Sequence, residues 1–107
     1  MSVTDELDAL EPRERARLTQ IAREAAEGLA GKAAVQEVEV VTSTDSLYRP
    51  VYWFSFLIDK TRTSESLGHI HTRLMQALLD RLESDGDEHL PMVRILDHRD
   101  WQRRAVG

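Results

Sequence analysis

The sequence predicts a two-layer α+β fold in which a three-stranded sheet carries two helices on one face. Three observations predict it. Two segments, Arg13 to Ala30 and Glu65 to Ser84, repeat apolar residues at helical spacing, and three others, around Val35 to Thr44, Val51 to Asp59 and Met92 to Asp97, read as strands. Their order is α-β-β-α-β. The turn-rich run between the first two strands has the length of a hairpin loop, whereas the third strand returns through a helix and so requires a crossover, expected to be right-handed.

The first helix starts at Glu11-Pro12, because proline is favoured at the first helical position. Its apolar seam is Leu18, Ile21, Ala22, Ala25 and Leu29, with Arg17, Arg23, Glu24 and Glu27 largely off it. Gly28 and Gly31 supply the stop, since glycine adopts the left-handed conformation at little cost. In the first strand Val38 and Val40 alternate with Glu37 and Glu39, the pattern of a strand with one face buried.

The second strand does not alternate in that way. Tyr52, Phe54, Phe56 and Ile58 form one face and Val51, Trp53, Ser55 and Leu57 the other, and both are mostly apolar. A strand backed by one helical layer should be polar on its second face, so that face is expected to be covered as well, by a partner or by the chain's own N-terminal segment or C-terminal tail.

In the second helix Leu67, Ile70, Leu74, Leu78 and Leu82 form the stripe, which Met75 and Leu79 widen beyond the needs of one sheet. Asp85-Gly86 ends it. The stretch after His98 is read as a tail with a single helical turn around Trp101. The element order resembles a ferredoxin-like split β-α-β fold lacking its first strand, a likeness of order and not of motif.

With 107 residues the chain has the size of one domain, expected to span 11–107 behind a flexible acidic segment at 1–10. Hydrophobic residues make up 41% and charged residues 31%, which is ordinary globular usage. No apolar run is long enough to span a bilayer and no signal peptide precedes the fold, so no membrane association and a cytoplasmic location are expected. The absence of cysteine excludes disulfides, thiolate metal sites and thiol nucleophiles. The net charge of −5 opposes nucleic-acid binding, whose affinity comes mostly from cations that release counterions.

Candidate chemistry is sparse. His69 and His71 stand two apart on a helix and diverge by ~200°, which argues against a shared metal ion. Asp85, Asp87, Glu88 and His89 lack the spacing of a calcium loop and read as a solvated acidic turn, so no metal and no cofactor is expected. There is no nucleophile elbow and no phosphate loop. Lys60, Arg62, Thr63 and Ser64, at the start of the second helix, form the best small-anion candidate, and the same residues also serve ordinary capping. Trp101 with Arg99, Arg103 and Arg104 combines residue types used at protein hot spots and in base stacking.

These features point to a non-catalytic interaction or regulatory module that self-associates as a homodimer or binds another protein. Val51, Trp53, Leu57, Met75, Leu79 and Trp101 are its expected contact residues. The alternative is a small enzyme or ligand-binding domain with a pocket between the sheet and Tyr48, Tyr52, His71 or His89, where histidine would serve as acid or base.

Overall fold

The computed structural model describes residues 10–106, with side chains up to Arg103. The acidic segment expected at 1–10 therefore lies, apart from Leu10, outside the described residues. Leu10 itself packs against the core.

The element order is α1 (Pro12–Ala30), β1 (Val35–Thr44), β2 (Pro50–Ile58), a 3-10 turn (Lys60–Arg62), α2 (Leu67–Ser84), β3 (Leu90–Leu96) and α3 (His98–Val106). This is the α-β-β-α-β order expected, with one further helix. The sheet is mixed, in the order β1-β2-β3: β1 pairs antiparallel with β2, and β3 pairs parallel with it. The strands on either side of α2 are thus hydrogen-bonded neighbours, and no gap is left between them for the first strand of a split β-α-β unit. α1 packs on β1, α2 on β3, and the two helices on each other.

Local sequence explains each element. Pro12 opens α1, and Gly31, at φ 95°, closes it with its N–H on the Glu27 carbonyl. The buried seam of α1 is Leu18, Ile21, Ala22, Ala26 and Ala30, rotated from the expected one, so that Ala25 and Leu29 are only half-buried. The small Ala22, Ala26 and Ala30 face the core, and the bulkier Leu29 packs at its flank. α2 begins at Leu67, capped by the Ser66 hydroxyl accepting from the His69 N–H at 3.2 Å. At the other end Gly86, at φ 74°, takes the left-handed position after the helix.

The core lies between the helices and one sheet face. Phe54, Phe56, Leu18, Ile70, Leu74 and Leu78 are completely buried there, joined by Tyr52, Ile58, Val40, Leu82 and Val93. The tail is a nine-residue helix where a single turn was expected. Asp97 starts it by accepting the Asp100 N–H at 2.8 Å, a cap that the sequence reading did not use. No helix of the described residues is long and apolar enough to cross a membrane.

Candidate functional site

The face of the sheet opposite α1 and α2 is the first candidate. Strand register lays it out in four rows across β1, β2 and β3: Ser43-Val51-Leu90, Val41-Trp53-Met92, Glu39-Ser55-Arg94 and Glu37-Leu57-Leu96. Val51, Ser55 and Leu57 are 1%, 1% and 5% exposed, outside the helix-side core, while Trp53, Val41, Leu90, Met92 and Leu96 are half-buried. Val51 and Leu57 are therefore withdrawn from water within one chain, and Trp53 is the large central side chain of the face that keeps exposure.

One polar row interrupts this apolar surface. The Arg94 side chain crosses from β3 toward β2, where its Nε–H donates to Ser55 Oγ at 3.2 Å. Its guanidinium carbon lies 5.2 Å from the centre of the Trp53 ring, within cation–π range. The charge is thereby held over the face instead of trailing from the sheet edge.

Around the β3 edge the apolar surface continues into a groove of about 520 Å³ against α2, lined by Met75, Leu79, Leu90, Pro91 and Met92, with His71 at its side. Leu90 and Met92 belong to both surfaces. The edge itself is blunted against strand addition. Pro91 has no N–H to offer, and His71 Nε2–H donates to the Val93 carbonyl at 3.0 Å. Of the expected contact residues, the structure brings Val51, Trp53 and Leu57 together on the outer face and Met75 and Leu79 together in the groove. Trp101 lies half-buried on α3, which touches β3.

The second candidate is a polar cluster at one end of the sheet. Asp87 Oδ2 accepts the Tyr52 hydroxyl at 2.7 Å, and Oδ1 accepts both the backbone N–H and the Nδ1–H of His89, at 2.9 and 2.7 Å. The Tyr52 and His89 rings stack with centroids 4.1 Å apart. Burial by itself would raise the Asp87 pKa, but the bonds from the His89 N–H, the Tyr52 hydroxyl and the His89 ring outweigh it and hold the carboxyl below its ordinary value. Burial first, and then the Asp87 carboxylate, push the Tyr52 phenol upward. Next to this cluster, Arg17 binds Glu14 and Asp85, and Arg81 also binds Asp85. The turn read as merely solvated is thus tied to β2 and α1 by two of its carboxylates. Burial of the partner phenol and nearby guanidinium groups make these bonds worth forming.

Of the four residues proposed for a pocket, Tyr52 and His89 converge, His71 is held at the β3 groove, and Tyr48 is 86% exposed at the hairpin tip. His69 is exposed beside Glu65. Among the described residues no cluster of histidines and carboxylates could hold a metal ion.

The small-anion candidate falls on the 3-10 turn. Asp59 Oδ1 accepts the Thr61 N–H at 2.9 Å and the Thr61 hydroxyl at 2.6 Å, and those two bonds hold the Asp59 carboxyl below its usual range. Arg62 pairs with Asp59 at 3.4 Å, Lys60 and Ser64 are exposed, and Thr63 Oγ accepts the Glu65 N–H. A carboxylate of the chain itself occupies the turn. On α3, Arg99 is exposed and Arg103 reaches Asp100 at 3.9 Å, while the Arg104 side chain lies outside the described residues.

Sequence reasoning missed Val41, Leu90, Met92, Leu96 and Arg94 on the outer face. Each is a member of a half-alternating strand and becomes informative only once register places it beside Trp53 or Ser55. Comparison with known proteins gave no match to a family model, a curated protein or a solved structure.

Proposed function

We propose that the protein is a non-catalytic interaction module that self-associates, the outer face of its sheet meeting the same face of a second copy. The observation that carries this reading is the continuous row Val41-Trp53-Met92, flanked by Val51, Leu90, Leu57 and Leu96, on the face that neither α1 nor α2 covers. A symmetric contact between identical patches is the commonest way for such a surface to be used. Face contact is favoured over contact at the β3 edge because Pro91 and His71 blunt that edge.

Light scattering coupled to gel filtration tests it. Twice the chain mass is expected for the wild type and the chain mass for Trp53→Asp. A wild-type monomer that Trp53→Asp leaves unchanged would remove the reading.

A second reading, a ligand-binding or catalytic site at Tyr52 and His89, draws support from the carboxylate that holds His89 Nδ1, an arrangement that orients Nε2 as a proton acceptor. It predicts that small molecules bound by the protein perturb the NMR signals of the Tyr52 and His89 rings. Binding that leaves both rings unperturbed would count against it.

A further inference from the structure

The Arg94 guanidinium lies inside the patch on which the self-association reading rests. Its Nε–H donates to Ser55 Oγ at 3.2 Å, and its central carbon stands 5.2 Å from the middle of the Trp53 ring. Ser55 is 1% exposed, so a buried hydroxyl on the central strand fixes the cation over the face. Both of these partners are neutral. Among the described residues no carboxylate forms an ion pair with Arg94, and its Nη groups keep N–H donors in the planar fork that matches a carboxylate.

A contact that covers Trp53 also covers Arg94, whichever way the second copy is turned, because the guanidinium rests on that ring. A two-fold contact therefore takes in two such cations, one from each copy. Removing them from water beside only a hydroxyl and an aromatic ring opposes association, since a desolvated charge is compensated only by an opposite charge in good geometry. The acids of the same face belong to β1, across β2 from Arg94. Glu37 is exposed on that edge strand, and Glu39 already has an interaction of its own. An anion from solution relieves the cost. The rows on either side of Arg94 are Val41-Trp53-Met92 and Leu57-Leu96, and such apolar surroundings favour a carboxylate on an apolar body over a strongly hydrated inorganic ion.

On the strength of the self-association reading, we propose that Arg94 is a binding site for a small carboxylate carried on an apolar body, and that its occupation promotes the meeting of two copies. The carboxylate accepts from the Nη fork, and the apolar body extends over the Trp53 row. The second copy then meets a neutral surface. Ligand and dimer stabilise each other, because a ligand that binds the dimer more tightly than the single chain shifts the equilibrium by that difference, and the dimer binds the ligand more tightly by the same factor.

The test is the dimerisation constant, measured by sedimentation in sodium benzoate and in sodium chloride at equal ionic strength, with circular dichroism as the folding control. The wild type should dimerise about tenfold or more tightly in benzoate, and acetate should act in the same direction but less. R94M has no charge to neutralise. It should dimerise equally in the two salts, and in chloride more tightly than the wild type. R94Q, neutral and still able to donate to Ser55, takes its place if R94M fails to fold. A wild-type dimer with one constant in both salts would overturn the carboxylate site and leave self-association standing, and a carboxylate supplied by the second copy, such as Glu37, has that outcome. A benzoate effect that persists in the neutral variant would also overturn it, because benzoate then acts elsewhere. An acetate effect equal to that of benzoate would overturn the apolar body. A wild type that is monomeric in chloride and dimeric in benzoate supports the site, and one that is monomeric in both defeats the self-association reading and the site together.

Discussion

The two faces of the sheet share the same strands yet are built differently. On the helix side, Tyr52, Phe54, Phe56 and Ile58 of β2 meet Leu18, Ile21, Leu74, Leu78 and Leu82, and aromatic and branched side chains fill the space without a charge. On the outer side, Val51, Trp53 and Leu57 are equally apolar, but Glu39, Ser55 and Arg94 cross the middle and Glu37 stands at the rim. Burying such a row would cost its charged groups their hydration, which the helix-side core avoids.

The sharpest way to break this comparison is a pair of truncations on β2. Phe54→Ala, completely buried on the helix side, should destabilise the fold by about 3–5 kcal/mol in urea unfolding at low protein concentration. Trp53→Ala, on the half-buried outer side, should cost the isolated chain clearly less and should instead act on self-association. Equal effects of the two on the monomer would make the outer face ordinary core.

Smaller effects are expected at the polar cluster. Tyr52→Phe removes the donor to Asp87 Oδ2 and should cost about 1–2 kcal/mol in the same assay. Its pH signature is specific. The Asp87 carboxyl is held low in the fold, so its contribution is present above the ordinary carboxylate range near pH ~4 and is lost as pH falls through the folded value. The Tyr52 phenol is raised, so its contribution holds below pH ~10 and fades as pH rises beyond that. Tyr52→Phe should therefore soften the acid loss of stability and abolish the Tyr52 contribution to the alkaline loss. Unchanged slopes at both ends would contradict the assignment. Ser66→Ala, at the cap of α2, should cost only ~1 kcal/mol and leave self-association untouched.

Much of the fold could be read from local pattern. The run Val51 to Ile58 announced a strand with little polar surface on either face, and the leucine spacing of α2 announced its buried stripe. The α1 seam was read around Leu29 because leucine outweighs alanine in any count of apolar residues. In the fold, Ala26 and Ala30 take the inner positions and Leu29 lies at the flank. The exposure of the outer face was also overstated in the sequence reading, since Val51 and Leu57 are already buried within the single chain.

The candidate sites were less accessible for a physical reason. Arg94 and Ser55 are 39 residues apart, and Tyr52 and Asp87 are 35 apart, so neither pair leaves a periodic trace. Only the parallel pairing of β2 with β3 creates the charged row, and only the return of the chain after α2 brings Asp87 under Tyr52. Trp53 could be singled out from sequence because its own strand makes it anomalous. Arg94 could not, because a lone arginine in an exposed-edge strand is unremarkable until its register is known.

The claim that the outer face is where two copies meet is tested most directly by hydroxyl-radical footprinting at increasing protein concentration. Oxidation of Trp53 and Met92 should fall as the dimer forms, while Tyr48, 86% exposed at the hairpin tip, stays constant as the reference. If oxidation of Trp53 and Met92 is independent of concentration across a range in which the mass doubles, the copies meet elsewhere.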